Sequence, residues 1–219
     1  MKYHKIPTVY ARDPETKFRT LIEGVYATPE LEYLADNLWV FTEKVDGTNI
    51  RMMFDGKQLT LGGKTDDAQI PNGIVTWFQE TMLPQVPQFG EFFKFQDKEG
   101  AEPEEYPGVT IYGEGYGAKI QKGGGNYQQS QSVVLFDVRI GNWWLRRADV
   151  EDIAAKLGLK VVPIIGCGTL TDMVRVVKAG FNSAWGDFLA EGIVARPPVE
   201  MSDRAGRRII TKLKMKDFK

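Results

Sequence analysis

Residues 43–51 read EKVDGTNIR, and this stretch says more about the fold and the chemistry than any other part of the chain. The sequence predicts one strand over 38–41 and another over 48–54, joined by a tight Asp-Gly turn. Lys44 would then present an amine from a rigid element beside a carboxylate. An amine that attacks phosphorus must be unprotonated, although the reference pKa of lysine is about 10.4, and nearby cations favour the neutral form. On its own the stretch fits an exposed hairpin equally well, because Asp-Gly is common in turns.

Composition narrows the classes of protein that need to be considered. The 219 residues are 42% hydrophobic, which is enough for one domain with a sizeable core. The single cysteine, Cys167, excludes an internal disulfide, and the single histidine, His4, argues against a histidine-based zinc site or a serine–histidine triad. A net charge of −1 argues against a nonspecific nucleic-acid coat protein. No run approaches the roughly 18 apolar residues of a membrane span. We therefore expect a cytoplasmic monomer (in the host cytoplasm if phage-encoded) with no membrane partner.

Further elements are expected along the chain. The predicted helices cover 29–35, 72–83, 149–157 and 171–179, and the later predicted strands cover 109–112, 133–140, 193–195 and 208–213. Residues 89–108 are predicted to form a surface excursion, and the six glycines of 113–125 suit a backbone that lies close to a ligand. The strands do not alternate regularly with helices, which favours an α+β fold with antiparallel sheets.

Four later segments place acidic, aromatic or basic side chains at the ends or on the faces of predicted strands. They are IYGEG at 111–115 with Glu114, VLFDV at 134–138 with Phe136, EGIVAR at 191–196 with Glu191, and KLK at 212–214. Each is ordinary by itself, because an acid beside glycine is commonly a turn, an aromatic in an apolar run is commonly core, and alternating lysines commonly form a solvated strand face. Their joint occurrence, in this order after Lys44, indicates one shared function.

In this order the segments resemble the motifs of the covalent nucleotidyltransferases, the superfamily of ATP-dependent DNA ligases, RNA ligases and mRNA capping enzymes. Residues 43–49 resemble the nucleophile motif, and the pairs and triplets at 113–114, 135–137, 191–194 and 212–214 resemble the motifs that follow it. Within that superfamily the chain resembles single-domain, phage-type RNA ligases, because Asn49 stands where DNA ligases usually have arginine and 113–123 are similar to a glycine-rich stretch of those enzymes. Lys64 departs from the pattern, since relatives commonly have arginine there.

The resemblance implies a particular architecture. It implies an α+β adenylyltransferase domain, similar to an ATP-grasp ligase domain, with antiparallel sheets flanked by helices and the nucleotide in the cleft between them. It also implies one nucleotidyltransferase domain over 1–219, in which 1–42 form an N-terminal lead-in. Only five residues follow Lys214, so we expect no OB-fold domain, the oligonucleotide-binding barrel that follows the core of DNA ligases and capping enzymes.

The resemblance implies a role for each matched side chain. Lys44 would attack the α-phosphorus of ATP and carry AMP, and Lys212 and Lys214 would act in catalysis by stabilising charge on the α-phosphate. The residues implied to bind ATP are Glu43, Lys44, Val45, Asn49, Lys64, Glu114, Phe136, Glu191, Lys212 and Lys214. Phe136 would stack on adenine and Glu43 would read the base edge, while Asn49 and Glu114 would face the ribose and phosphates. Glu191 and Asp46 would hold hydrated Mg²⁺ or Mn²⁺.

The implied reaction is the ATP-dependent joining of 5′-phosphate and 3′-hydroxyl ends, with RNA favoured by the resemblance. Nucleic acid is the expected partner, held by a basic cluster at Arg204, Arg207, Arg208, Lys212, Lys214, Lys216 and Lys219 and by Lys119 and Lys122. Sealing of DNA or of mixed DNA–RNA ends stays open, because the choice depends on contacts to the 2′-hydroxyl group. GTP-dependent capping and a nucleotide-binding module without catalysis are the remaining alternatives. The missing barrel argues against the first, and the presence of both the lysine and the acids argues against the second.

Overall fold

The computed structural model describes residues 2–94 and 106–218. The strands are β1 (Tyr10–Arg12), β2 (Leu21–Tyr26), β3 (Trp39–Lys44), β4 (Thr48–Phe54), β5 (Leu59–Gly62), β6 (Val109–Tyr116), β7 (Ser132–Ile140), β8 (Trp143–Trp144), β9 (Lys160–Val161), β10 (Ile164–Gly168), β11 (Gly192–Arg196) and β12 (Thr211–Lys214). The α-helices are α1 (Pro29–Tyr33), α2 (Asn72–Trp77), α3 (Val86–Phe92), α4 (Gly124–Tyr127), α5 (Arg147–Lys156) and α6 (Leu170–Ala179). A π-helical turn (Phe78–Met82) and 3-10 turns at Leu83–Gln85 and Met215–Phe218 complete the helical segments. Helices combined with antiparallel sheets confirm the predicted mixed fold class.

The chain divides into two compact units. The first unit consists of Gly47–Val161 with the N-terminal residues up to Tyr3, and the second consists of His4–Asp46 with Val162–Lys219. The chain passes from the second unit into the first within the Asp-Gly turn that follows Lys44. Among the described residues, no helix has the length and apolar character that crossing a membrane requires.

An antiparallel sheet in the order β10-β3-β11-β12 forms the centre of the second unit. Helix α6 packs against it and has defined ends: the Thr169 hydroxyl accepts a hydrogen bond from the Asp172 N–H, Asp172 Oδ2 accepts one from the Thr169 N–H, and Gly180 follows with a φ of 77°. The buried residues of α6 recur at helical spacing and pack against alternate residues of the strands. The helix contributes Leu170, Met173, Val174 and Val177, and the strands contribute Trp39, Phe41, Ile193, Ala195 and Leu213. The intervening strand residues therefore lie on the opposite side of the sheet.

A larger sheet in the order β5-β4-β6-β7-β8 forms the first unit, with β9 in parallel beside β7. One side of it packs against α5 and the helical segment over 72–92; the core includes Ile50, Met52, Phe54, Ile111, Val133, Leu135, Val138, Ile74, Phe78, Met82, Phe89 and Ile153. Because side chains alternate along a strand, the side opposite this core carries Asn49, Arg51, Tyr112 and Glu114. We call this side the distal face of the first unit.

The residues from His4 to the start of β3 are built into the second unit. β1 and β2 form a separate two-stranded antiparallel sheet, and Thr8 forms a parallel bridge with Lys212 beside β12. Val9 and Leu31 are buried in the same core as α6. The N-terminal lead-in therefore supports the strand that carries both C-terminal lysines.

Three predictions about local structure were wrong. The strands on either side of the Asp-Gly turn do not pair as a hairpin, because β3 pairs with β10 and β11 whereas β4 pairs with β5 and β6. Residues 113–116, assigned to the glycine-rich loop, continue β6. Residues 89–92, assigned to a surface excursion, belong to α3, where Phe89 is buried in the core. Positions 95–105 of that excursion lie outside the described residues.

Candidate active site

Lys44, Lys212 and Lys214 lie on one face of the second unit's sheet. Lys44 is paired with Gly192 of β11, and Gly192 is paired in turn with Lys214 of β12. Directly paired residues share a face and neighbouring strands lie about 4.8 Å apart, so the two lysines flank the glycine. Lys212 shares that face because it is two residues from Lys214 along the same strand. We call these three lysines, with Glu191, the lysine row.

One carboxylate joins two of the lysines. Glu191 Oε2 lies 2.6 Å from Lys44 Nζ, and Glu191 Oε1 lies 2.5 Å from Lys214 Nζ. The side chains are mostly shielded from solvent, with exposed fractions of 13% for Glu191, 19% for Lys44 and 22% for Lys214. Two ammonium groups and one carboxylate leave this trio with a formal charge of +1. An anionic phosphate is attracted to such a site more strongly than it would be in bulk water, because shielding lowers the local dielectric constant.

Gly192 is the residue between the two lysines, and it admits no side chain. A Cβ atom at this position would lie 2.1 Å from the carbonyl oxygen of Leu213 and 2.8 Å from the Cα of Lys214. Both are backbone atoms that cannot rotate away. The glycine therefore permits the close approach of β11 and β12 that brings Lys214 to Glu191.

Glu43 points away from the lysine row. It follows Trp39 and Phe41 at alternate positions of β3, and it is 1% exposed. Its Oε1 accepts a hydrogen bond from the Ser183 hydroxyl at 2.5 Å, and its Oε2 accepts one from the Ala184 N–H at 2.8 Å. Both oxygens are engaged inside the second unit. Glu43 therefore ties the segment at 183–184 to β3, and its expected contact with a base edge stays a prediction.

Asp46 follows Lys44 after the buried residue Val45, which is 2% exposed. Burial raises the pKa of Asp46 above its ordinary value, and the negative charge of Glu191 raises it further, while the ammonium groups of Lys44 and Lys214 act in the opposite direction. Asp46 and Glu191 are thus two electrostatically coupled carboxylates. Such a pair suits a divalent cation, whose charge would relieve their repulsion.

Asp217 and the N-terminal segment fix the backbone that carries the lysines. Asp217 Oδ2 accepts a hydrogen bond from the Lys214 N–H at 2.9 Å, and its Oδ1 accepts one from Arg12 Nη2 at 2.7 Å. The Lys212 N–H donates to the carbonyl oxygen of Pro7 at 3.0 Å. β12 is consequently held on its outer edge and at its end, so the two lysines project from a fixed strand.

Asn49 and Glu114 are paired neighbours on the distal face of the first unit. The side-chain oxygen of Asn49 is shielded from solvent and accepts no hydrogen bond from any residue of the described ranges. Buried acceptors are nearly always satisfied, so an unpartnered one needs an explanation. A hydroxyl donor such as that of a ribose would supply the missing hydrogen bond.

A β-bulge brings Phe136 onto the distal face. Tyr112 of β6 is paired with Asp137, but the next residue, Gly113, is paired with Leu135, so Phe136 is the extra residue of the bulged strand. Leu135 enters the core, whereas Phe136 and Asp137 both lie on the side of Tyr112.

Tyr3 covers part of the distal face. Its ring lies edge-on to the rings of Tyr112, Phe136 and Trp144, at centroid distances of 5.0, 5.1 and 5.7 Å. Its hydroxyl donates a 2.5 Å hydrogen bond to Asp137 Oδ2, and Asp137 is fully buried. Nothing in the sequence pattern connected a residue this close to the N-terminus with Phe136.

Arg51 is the buried cation of the first unit, and sequence reasoning gave it no role. It is 1% exposed, donates from Nε to the Gly63 carbonyl oxygen at 2.6 Å and pairs through Nη2 with Asp66 Oδ1 at 2.8 Å. Lys64, which was assigned to ATP binding, is exposed and has no ion-pair partner within 2–94 and 106–218. Arg51 lies two residues after Asn49 in β4, so the two side chains share one face. This spacing is the signal that could have identified Arg51.

Two arginines of the basic cluster pair with neighbouring acids. Arg208 is buried and pairs with Glu200, and Arg207 Nε lies 2.6 Å from Asp203 Oδ2. Lys219 lies outside the described residues. The charges of these two arginines are compensated locally, and the role of the basic cluster in holding nucleic acid stays a prediction.

The assigned residues fall into two sets. Lys44, Glu43, Val45, Asp46, Glu191, Lys212 and Lys214 belong to the second unit, and Asn49, Lys64, Glu114 and Phe136 belong to the first. Within the described part of the chain, no group of three or more His, Cys, Asp or Glu side chains is arranged to hold a metal ion. A metal held by Asp46 and Glu191 would therefore keep most of its ligands as water or phosphate oxygens, as Mg²⁺ commonly does.

Known structures share this fold. The RNA ligase of Naegleria gruberi in a structure with PPi superposes with a TM-score of 0.66 and 14% identity, over 100% of this chain and 57% of that one. Variants of the same ligase with ATP and Mn (TM-score 0.62, 15% identity, 87% of this chain and 52% of that one) and with AMP and Mn (0.61, 16%, 87% and 53%) are also similar. The chain thus spans little more than half the length of these relatives.

Comparison at the level of sequence gives a family. A search of curated proteins found no match. The family model described as RNA ligase matches residues 37–214, which is most of the chain and includes every assigned site residue. On this match, the chain belongs to the RNA ligase family.

Proposed function

We propose that this protein is an ATP-dependent polynucleotide ligase that joins 5′-phosphate and 3′-hydroxyl ends, with RNA as its substrate, through AMP bound covalently to Lys44. The observation that carries the proposal is the lysine row, in which Glu191 holds Lys44 and Lys214 on one face of a fixed sheet. Membership of the RNA ligase family and the fold shared with an RNA ligase support it. In this proposal the whole of 1–219 serves one nucleotidyltransferase activity.

The first step needs an unprotonated amine and stabilisation of phosphate charge. Glu191 Oε2 lies 2.6 Å from Lys44 Nζ and is placed to accept a proton from it. The neutral amine then forms a nitrogen–phosphorus bond to the α-phosphorus of ATP, and pyrophosphate leaves with the electrons of the broken phosphorus–oxygen bond. Lys212 and Lys214 stabilise the negative charge that builds up on the α-phosphate oxygens.

The first unit supplies the groups suited to a nucleoside. Phe136 offers an aromatic platform for adenine, and the unpartnered oxygen of Asn49 accepts a hydrogen bond from a ribose hydroxyl. Glu114 lies beside Asn49 in the register and shares that role. Glu43 acts in this proposal by positioning β3 rather than by reading the base, because both its oxygens are engaged by 183–184.

A divalent cation fits the acidic pair of the second unit. Asp46 and Glu191 would hold hydrated Mg²⁺ or Mn²⁺, which supplies charge neutralisation for the phosphates when bound. Burial raises the pKa of Asp46, and the neighbouring charge of Glu191 raises it further, so a bound cation would relieve the repulsion between the two carboxylates.

The two remaining steps join the strands. AMP is transferred from Lys44 to the 5′-phosphate end, which breaks the nitrogen–phosphorus bond and forms a pyrophosphate linkage. The 3′-hydroxyl then attacks the 5′-phosphorus, a phosphodiester forms, and AMP leaves. The choice between RNA and DNA ends depends on contacts to the 2′-hydroxyl, and the RNA ligase family membership favours RNA.

The test is covalent labelling followed by sealing. With α-labelled ATP and Mg²⁺ we expect label on the wild-type chain, on Lys57→Ala, which changes an exposed turn residue, and none on Lys44→Ala. Labelling that persists in Lys44→Ala, or labelling from GTP and not from ATP, would contradict the proposal. Sealing assays on matched RNA, DNA and hybrid ends then identify the substrate, and preferential sealing of DNA would overturn the assignment to RNA.

A further inference from the structure

The loop that joins β1 to β2 holds an aromatic ring in solvent on an unfavourable backbone. Phe18 is 60% exposed. Its φ is 61°, and the preceding residue, Lys17, has a φ of 54°. Residues other than glycine rarely adopt this left-handed region, and for a bulky side chain it is a true outlier. Such conformations persist only where the surrounding structure enforces them, and they concentrate at functional sites.

Several local hydrogen bonds hold the loop in this conformation. The Phe18 N–H donates to the Asp13 carbonyl oxygen at 2.8 Å, and the Asp13 N–H donates to the Thr20 carbonyl oxygen at 3.0 Å. The hydroxyls of Thr16 and Thr20 lie 2.9 Å apart, and Asp13 Oδ1 accepts from the Glu15 N–H. The exposure of Phe18 is therefore a property of an ordered loop.

Arg12 ties the same loop to the lysine row. Its Nη1 donates to the carbonyl oxygens of Phe18 and Arg19, and its Nη2 pairs with Asp217, which accepts the Lys214 N–H. One arginine thus connects the turn that presents Phe18 with the end of the strand that presents Lys214. All of these residues belong to the second unit.

Cationic residues flank Phe18 in the sequence on both sides. Lys17 and Arg19 are exposed, and neither has an ion-pair partner in the described part of the chain. Isolated exposed aromatics are ordinary on protein surfaces. The combination of an enforced positive φ, an anchored loop and two free cations distinguishes Phe18 from Tyr33, which is 86% exposed on α1 between Glu32 and Leu34.

We propose that the loop at 13–20 is a docking site for a single-stranded segment of the polynucleotide substrate, with an unpaired base stacked on Phe18 and the adjoining phosphates beside Lys17 and Arg19. Aromatic stacking accepts any base, and cations beside the ring hold the backbone without reading sequence. The nearby acids Asp13 and Glu15 limit the net attraction, so the contact adds to substrate affinity without making it strong. The proposal deepens the proposed ligase function and rests on it. It assigns substrate binding to N-terminal residues, whereas Arg207 and Arg208 of the basic cluster pair with neighbouring acids.

The test measures binding of a short 5′-phosphorylated RNA that contains 2-aminopurine, whose fluorescence falls when it stacks on an aromatic ring. Phe18→Asn removes the ring and keeps a residue that tolerates positive φ, so the loop is preserved. We expect its affinity to fall about 10-fold or more, with loss of the fluorescence quenching. Phe18→Trp should keep both the affinity and the fluorescence quenching, and Tyr33→Ala should match the wild type in both measurements.

Removing the two cations should change the salt dependence instead of the quenching. For Lys17→Ala combined with Arg19→Ala, we expect the slope of log affinity against log salt to fall by about 1.4, from two phosphate contacts at about 0.7 each. The pair Lys57→Ala and Lys94→Ala is the matched control, because both lysines are exposed in the first unit.

Covalent labelling by ATP separates this proposal from the proposed function. Labelling should be unchanged in Phe18→Asn, since the loop takes no part in that step. Equal RNA affinity and quenching in Phe18→Asn and the wild type would overturn the docking site even where labelling succeeds. A change in self-association without a change in RNA binding would overturn it as well, because the ring would then serve a protein contact. Absence of labelling in the wild type would instead remove the ligase function.

Discussion

Shielded polar groups have different partners in the lysine row of the second unit and on the distal face of the first unit. In the lysine row, charged side chains satisfy one another, since Glu191 pairs with Lys44 and with Lys214. On the distal face, aromatic rings surround the buried carboxylate of Asp137, and the Asn49 oxygen is left without a donor in the described residues. In the proposed ligase, the charged groups of the second unit would serve the chemistry, and the distal face of the first unit would offer a surface for an aromatic ring and a sugar.

The largest expected effect comes from neutralising the centre of the lysine row. Glu191→Gln removes the negative charge between two ammonium groups and the proton acceptor of Lys44. We expect labelling by ATP to fall about 100-fold or more and the free energy of unfolding to fall by about 2 kcal/mol. Labelling rates and urea unfolding measure the two effects.

Glu200→Gln is the matched control for Glu191→Gln. Glu200 pairs with the buried Arg208 in the same unit, so its replacement also removes a carboxylate from a shielded cation. We expect a comparable loss of stability with no loss of labelling. If both variants lost labelling equally, the lysine row would matter only through stability, and the contrast between the two regions would fail.

A smaller effect is expected on the distal face. Tyr3→Phe keeps the ring contacts with Tyr112, Phe136 and Trp144 but removes one hydrogen bond to the buried Asp137. Loss of one hydrogen bond typically costs about 0.5–1.5 kcal/mol, which we expect to see in urea unfolding. Tyr33→Phe, on a ring that is 86% exposed, should leave stability unchanged. Equal stability of Tyr3→Phe and the wild type would show that Tyr3 contributes only its ring.

The smallest effect should come from Asp46. Because burial and Glu191 raise its pKa, Asp46 binds its proton more tightly in the folded protein than in the unfolded chain. Its contribution to stability is present below the unfolded value near 3.8 and is lost as pH rises through the folded value. We therefore expect Asp46→Asn to raise Tm at neutral pH by about 2 °C, with the difference vanishing towards pH 4.

Asp55→Asn is expected to change Tm in the opposite direction, and it serves as the control for Asp46→Asn. The pKa of Asp55 is lowered, chiefly because its carboxylate accepts hydrogen bonds from the N–H groups of Gln58 and Lys57. Its ionised form therefore stabilises the folded protein, and replacement should lower Tm slightly at neutral pH. Thermal unfolding of both variants between pH 4 and pH 7 checks the sign. A lower Tm for Asp46→Asn at neutral pH would contradict the assigned pKa direction.

The sequence predicted the elements whose signals are local. The predicted helices at 29–35 and 171–179 and the alternation of Lys212 and Lys214 depend on residues close in sequence, and the structure has a helix in each of these two regions and both lysines in one strand. It also predicted the mixed fold class with antiparallel sheets. The separation of β3 and β4 into different sheets was missed, because an Asp-Gly turn between two strands looks the same in sequence whether or not the strands pair.

The contacts that were missed join residues far apart in the chain. Glu43 meets Ser183, Tyr3 meets Asp137, and Arg12 meets Asp217, at separations of 140, 134 and 205 residues. No local pattern encodes such pairs. The pairing of Arg208 with Glu200, eight residues away, was missed for a different reason: the bridge between Ser202 and Arg208 that brings them together is not revealed by sequence periodicity.

The bulge at Phe136 has a consequence for how this sequence tolerates length changes. The bulge adds one residue to β7 and so shifts the alternation of its side chains. Leu135 and Val133, which precede the bulge, face the core only because of that extra residue. Deleting one residue here would exchange inside for outside over half a strand. Members of the family with the same core should therefore vary around this position by substitution and not by single-residue gaps.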